Sequence, residues 1–348
     1  MSSAFPGLSR SQLKKASNKQ YFLIYEGECT EKEYFDGIST AADDSKLDLI
    51  ITPKEIERSE ADWFETDIIK LIEMSNSFIK TLKNKKFHYI YFFNIVFEPL
   101  CHTKRMEFIK KDRYSEYNDY LTRDIQPFRS KLLTSMNNKG YISSSGFIKD
   151  LDNAVQYCRS EIRRKYKFDI LGKIIKLDIS NKNVFSQDNV CIIHDRDYSE
   201  RYFNDIKYMR AIGKINELCD KNEEKYRLII TYPKFELWLV LHVMKYSEIQ
   251  TLNLDYLKLY SGPNSCPVKD KARTGPSQYV SELFQKYLKI PETKHISSLF
   301  DSKLLPGIEN AIINSQHPLF KTEISDLMTE PGTNMGILMQ EIIASHED

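Results

Sequence analysis

Two short apolar runs, each ending in acid, constrain this chain more than any other feature. The first, YFLIY at 21–25, runs into Glu26, and Gly27 follows at once. Thr30 then has the character of a helix N-cap, with Glu33 three residues on as its capping-box partner. The second, CII at 191–193, passes His194 and ends in Asp195 and Asp197, with Ser199 as the next N-cap. Each stretch therefore reads as strand, turn and helix, with a carboxylate at the carboxyl end of the strand. In an open α/β sheet that edge is where sites are built. Side by side, Glu26, Asp195 and Asp197 would offer hard oxygen ligands suited to Mg²⁺ or Mn²⁺. The i, i+2 spacing of Asp195 and Asp197 puts both side chains on one face of a strand. Two like charges held that close repel unless a cation lies between them. The alternative is a DRD turn whose acids cap the helix opening near Tyr198.

Around these two units the order of elements points to an α/β fold. A short helix is expected at 31–39, with Tyr34, Phe35 and Ile38 on one face. LDLIIT at 47–52 reads as a second strand. A long helix capped by Ser59 should run to Leu82 and lay one apolar face on the sheet. From residue 84 to 186 this pattern breaks. The aromatic run at 87–97 suits a strand or a buried helix, and periodicity does not choose between them. SSSG at 143–146 reads as a loop, and 158–176 as largely helical. The core pattern resumes at 189–194. A helix follows from Ser199 to Lys221, with Tyr202, Ile206, Met209, Ile215 and Leu218 inward. A strand at 226–232 then leads into a helix with Pro233 near its first turn. Residues 251–275 read as a long loop, and three amphipathic helices close the chain. The expected architecture is a mostly parallel sheet flanked by helices, with a large, mainly helical insertion and C-terminal helices. Its divisions are 1–83, 84–186 and 187–348.

Composition narrows the function classes. With 41% apolar and 28% charged residues the chain suits a globular protein, and a net charge of +1 makes it no polycation. The six cysteines are scattered without a CxxC pair, which argues against a zinc site and for a reduced, cytoplasmic setting. No signal-peptide pattern opens the chain. No apolar run approaches the roughly 20 residues of a membrane span, so no membrane partner is expected. Nucleophile-elbow, HExxH and P-loop motifs are missing, so any ATP hydrolysis would fall to a separate ATPase subunit.

The ordered set EGxxTExxYF at 26–35, DRD at 195–197, YPKFELWLVLH at 232–242 and PGTNMGILMQEI at 331–342 resembles the signature of the RloB-like proteins. These are a Toprim-related group found with bacterial restriction and phage-abortive systems. The resemblance covers roughly 20–75 and 186–343 and leaves the middle segment out. It implies a Toprim-like sheet and a metal-dependent nuclease acting on DNA or RNA in anti-phage defence. It gives Asp195 and Asp197 the role of metal ligands, and Glu26 that of acid/base or metal-positioning group. Glu31 matches the TE of the motif and Glu236 the FE, and both join the catalytic set. Without the resemblance, Glu28, Glu31 and Glu236 could be no more than favourable acids in a helix first turn. His194 should point to the opposite strand face and pack, and His242 should be a satisfied core histidine. Three basic clusters lie in or beside the insertion, around Lys80–Lys86, Lys104–Arg113 and Arg163–Lys167, the last with Tyr166 and Phe168 interleaved. They suit phosphate contact and base stacking, or simply a solvated helix face. A rival function keeps the fold without catalysis, as a binding or sensor subunit beside an ATPase partner. Homo-oligomerisation is left open.

Overall fold

A computed structural model describes residues 20–27, 29–51, 53–56, 68–111, 113, 115–168, 188–196, 201–221, 225–253, 257, 276–292, 295–327 and 330–343. By its internal contacts the chain divides into two units, 1–55 with 185–348, and 56–184. Helix Ile68–Asn84 thus belongs to the second unit.

The first unit is built on a five-stranded sheet. β1 is Tyr21–Tyr25, followed by helix α1, Thr30–Asp43, and β2, Pro53–Glu55. LDLIIT does not form the expected strand. Leu49 makes one antiparallel bridge to Ile343, and the backbone N–H of Ile50 donates to Ile342 O at 2.8 Å. The apolar run is packed into the core as its composition demands, but its backbone partner is the end of the last helix. Only three residues beyond it pair with β1. The sheet order is β2-β1-β3-β4-β5, where β3 is Asn189–Asp195, β4 is Lys225–Tyr232 and β5 is Gly332–Thr333. The first four strands are parallel and β5 is antiparallel to β4. This is the mostly parallel sheet that the sequence led one to expect.

Alternation along the strands fills both faces. Tyr21, Leu23, Tyr25, Cys191, Ile193 and Ile229 join a core with Tyr34, Phe35 and Ile38 of α1. Phe22, Ile24, Val190, Ile192, Leu228 and Ile230 lie on the other face and are also buried. A parallel sheet needs cover on both sides, which explains the near-continuous apolar strands.

The second unit is mainly helical among its described residues, with a longer non-helical connection at 139–150 that carries isolated bridges. It comprises α2, Ile68–Asn84; α3, Tyr89–Lys110; α4, Ser115–Tyr120; α5, Gln126–Asn138; and α6, Leu151–Tyr166. A π-helical turn at Leu121–Ile125 joins α4 to α5. The aromatic run at 87–97 is therefore a helix. Its buried residues Phe92, Phe93, Val96, Phe97 and Leu100 recur at helical rather than alternating spacing. They pack with Tyr117, Leu121, Ile125, Met136, Cys158 and Ile162 into a core of the unit's own. The expected SSSG turn is present: Gly146 N–H donates to Ser143 O at 2.9 Å. Helix α6 starts at Leu151, capped by Asp150 (which accepts from Asn153 N–H at 3.1 Å), and ends at Tyr166. Residues 169–176 of the expected helix lie outside the described residues.

Back in the first unit, helix α7 spans Arg201–Lys221 and α8 spans Glu236–Leu241. Met209, expected inward on α7, is 64% exposed, whereas Tyr208, Ala211 and Ile215 are buried. Ile215 is buried as expected, and Tyr208 rather than Met209 takes the inward position before it, its hydroxyl donating to Asp195 O. Ser59, Ser199 and most of the 251–275 loop fall outside what is described, as do the side chains of Tyr202 and Ile206. Helices α9, Pro276–Leu288, α10, Ile308–Ser315, and α11, Met335–Ile342, close the unit.

The Gly332–Asn334 segment explains why the last helix is joined to the sheet. Thr333 Oγ1 donates to Ile230 O at 3.1 Å. Asn334 Oδ1 takes the N–H of Ile230 at 2.7 Å, and its Nδ2 donates to Leu228 O at 3.0 Å. A carboxamide thus continues the ladder where the strand has ended. A Cβ on Gly332 would lie 2.1 Å from Lys321 O, and its φ is +153°, so only glycine fits. Among the described residues no helix is long and apolar enough to cross a membrane, and no disulfide joins Cys29, Cys101, Cys158, Cys191 or Cys219.

Candidate active site at the carboxyl edge of the sheet

Glu26 extends β1 by one residue: its N–H donates to Ile193 O at 3.0 Å. Its Oε2 then accepts the backbone N–H of Asp195 at 2.9 Å, so the ends of β1 and β3 are clamped by this carboxylate. The register pairs Tyr25 with Ile193, which makes Glu26 the neighbour of His194. In-register residues of parallel strands share a face. His194 therefore faces the site: its Nδ1 lies 3.1 Å from Glu26 Oε2, 2.6 Å from Asp195 O and 2.6 Å from the Tyr208 hydroxyl. The expectation that His194 packs is met, since it is 8% exposed, but it packs against Glu26 rather than away from it. Sequence alternation within one strand gives the face relative to Asp195; only the inter-strand register gives the face relative to Glu26. With a carboxylate and a carbonyl as neighbours, Nδ1 carries the proton and donates to them.

Gly27 opens the turn, and Glu31 folds back over it. Gly27 N–H donates to Glu31 Oε1 at 3.3 Å, and a Cβ on Gly27 would sit 2.1 Å from Glu31 Oε2. Any other side chain there would displace the Glu31 carboxylate. Glu31 is 4% exposed. Burial, then the charges of Glu26 and Glu236, push its pKa from 4.5 up to about 7, against the opposing pull of backbone hydrogen bonds. Glu236, the first residue of α8, is half-buried and lies close enough for its charge to act on Glu31. Glu31 and Glu236 are thus joined to Glu26 in one electrostatic group, and neither serves only its own helix dipole.

Helix α1 has no capping box. Thr30 is its first residue, and Cys29 precedes it without a side-chain cap. Glu33 reaches outward instead, accepting from Ile296 N–H at 2.6 Å, Ser297 N–H at 2.8 Å and His295 Nδ1 at 2.7 Å. It caps the short turn of helix at Ser297–Leu299.

Asp195 meets Glu26 through its backbone N–H, while its in-register neighbour on β4 is Thr231. Asp197 and Glu28 lie outside the described residues. Among the described residues no three Asp, Glu, His or Cys side chains converge as a metal-ligating group. The donor chemistry still suits a hard cation, because Glu26 and Glu236 raise the proton affinity of a third carboxylate, a conflict that a divalent ion relieves.

Two residues of this edge escaped sequence reading. Arg196, between the two acids of DRD, is fully buried, with its guanidinium 4.8 Å from the centre of the Tyr208 ring. Tyr208 itself, on α7, donates to Asp195 O. The only signal in sequence was an arginine beside an apolar strand. His242 is the satisfied core histidine expected: Nδ1–H donates to Leu304 O at 2.7 Å and Nε2 lies 3.3 Å from the Tyr34 hydroxyl. Burial lowers its pKa to about 4. In the second unit many cations of the basic clusters are tied to nearby acids, Lys104 to Glu107, Arg113 to Glu116, Arg164 to Glu161 and Lys165 to Asp124. These pairs are what a solvated helix face would show.

Fold and site together define an α/β protein with an interrupted parallel sheet and a carboxylate group at the sheet's carboxyl edge. The family model for RloB-like protein matches residues 100–342, and the chain belongs to that family. The match includes much of the middle segment, which the motif resemblance left out, and it does not reach the EGxxTE stretch. Searches of curated proteins and of solved structures return no match.

Proposed function

We propose that this chain is a divalent-metal-dependent nuclease of Toprim type, hydrolysing phosphodiesters of DNA or RNA in bacterial anti-phage defence. The observation that carries this reading is the group formed by Glu26, Glu31 and Glu236 beside Asp195, where three elements deliver acids to one sheet edge. Glu26, Asp195 and Asp197 would hold Mg²⁺ or Mn²⁺, which supplies Lewis-acid polarisation of phosphoryl oxygen and lowers the pKa of water. Glu31 retains a proton near neutrality and is suited to donate it to a leaving oxygen. His194 fixes the orientation of Glu26. Nucleic acid is the partner, and an ATPase would be a separate subunit.

The second reading is a non-catalytic binding or sensor subunit beside that ATPase. One experiment separates the two. Purified protein is incubated with duplex DNA, single-stranded DNA and total RNA including tRNA, in Mg²⁺, Mn²⁺ or EDTA, alongside the Asp195→Ala/Asp197→Ala double variant. Metal-dependent cleavage that disappears in the variant supports the nuclease. Absence of cleavage together with absence of metal binding supports the second reading.

A further inference from the structure

Three oxygens lie around His194 Nδ1: Asp195 O at 2.6 Å, the Tyr208 hydroxyl at 2.6 Å and Glu26 Oε2 at 3.1 Å. Counting hydrogens shows how they are shared. The carbonyl brings none, and Oε2 already accepts the N–H of Asp195, so the imidazole supplies the proton at Nδ1. A protonated Nδ1 does not accept. The single Tyr208 proton therefore goes to Asp195 O, 2.5 Å away, and the phenol oxygen faces the imidazole as an acceptor. The imidazole N–H has both Asp195 O and Glu26 within reach. The carbonyl is the nearer of the two, and it would draw that N–H away from Glu26 were it not already bonded to the phenol.

We propose that Tyr208 is a positioning residue for Glu26: by occupying the Asp195 carbonyl, its hydroxyl leaves the His194 N–H for the Glu26 carboxylate. The hydroxyl bridges the two groups that hold Glu26, which are Asp195, through its N–H at 2.9 Å, and His194. The ring itself is fixed. Tyr208 is buried, the fully buried Arg196 guanidinium lies 4.8 Å from its centre, and the His194 ring meets it edge to face at 5.4 Å. The bearing of Tyr208 on cleavage rests on the nuclease reading above, whereas its bearing on Glu26 does not.

Tyr208→Phe tests this, because it removes the hydroxyl and keeps the ring with its Arg196 contact. The full chain, labelled with ¹⁵N in its histidines, is compared with the variant by NMR in EDTA. The His194 Nδ1–H signal is the one that His194→Ala lacks. His242, whose Nδ1–H donates to Leu304 O at 2.7 Å, is the internal standard. Solvent exchange of the His194 proton should quicken about tenfold in Tyr208→Phe, the equivalent of one lost hydrogen bond, with the His242 signal unchanged. An unchanged His194 rate, or an equal change at His242, overturns the proposal. Calorimetric titration with Mn²⁺ is the second arm. Tyr208→Phe should weaken binding about tenfold, and adding it to His194→Ala should weaken it no further, since Tyr208 acts through His194. A loss as large on the His194→Ala background as on the wild type overturns the proposal. If the wild type binds no Mn²⁺, the metal reading fails, and the exchange rates alone decide the role of Tyr208.

Discussion

Replacing Glu31 by Gln should stabilise the protein at alkaline pH and leave it nearly unchanged in acid. Glu31 is 4% exposed, and burial with the Glu26 and Glu236 charges lifts its pKa from 4.5 to about 7. A group whose folded pKa is raised binds its proton more tightly in the folded state. Below pH 4.5 it is protonated folded and unfolded, and it carries no penalty. Between 4.5 and 7 the unfolded chain ionises first, so stability falls as pH rises. At about 1.4 kcal/mol per pK unit, the full cost above pH 7 is about 3 kcal/mol. Glutamine keeps the shape and can still accept the Gly27 N–H, but never ionises. Urea melts of both proteins from pH 5 to 8 should therefore show a variant advantage of under about 1 kcal/mol at pH 5, growing to about 3 kcal/mol at pH 8. Under the proposed metal-binding function millimolar Mg²⁺ should also shrink the advantage, because a bound cation would stabilise the wild-type carboxylates. A difference that does not change with pH, or a variant less stable than wild type at pH 8, refutes the assigned environment of Glu31.

Three other outcomes follow from the same geometry. His194→Ala removes the group that holds Glu26, and under the proposed function metal-dependent cleavage should fall about 10–100-fold while urea stability changes far less. Glu33→Ala should cost about 1–2 kcal/mol in urea melts, through loss of its hydrogen bonds to Ile296 and Ser297. Burial alone would raise the Glu33 pKa, but hydrogen bonds from His295, Ser297 and Ile296 lower it. The loss should therefore be largest above pH 4.5 and fade in stronger acid. Gly332→Ala drives a methyl against Lys321 backbone and should lower thermal stability by about 3 kcal/mol or more, with loss of β5 protection in hydrogen exchange.

Much of this protein was legible in its residues. The apolar runs at 21–25, 189–194 and 226–232 are strands, as their short length and their content of branched and aromatic residues led one to expect. The amphipathic closing helices were equally plain, and Glu26, Asp195, Glu31 and Glu236 were marked by residue type and by strand and helix ends. What the linear order could not carry was pairing. LDLIIT is apolar enough for a strand, yet its backbone meets the end of α11, since composition specifies burial and not a hydrogen-bond partner. Glu33 has capping-box spacing, yet it caps another segment 262 residues away. The placement of His194 against Glu26 depended on the β1–β3 register, and one residue of slip would have turned it to the other face. The raised pKa of Glu31 needed burial first, then the nearby Glu26 and the distant Glu236, with a glycine to fold over, and burial and the approach of Glu236 come only from three-dimensional packing. Residue types thus determined which chemistry could gather at the sheet edge. Tertiary structure decided which groups meet there, because register and helix docking set distances that spacing along the chain does not encode.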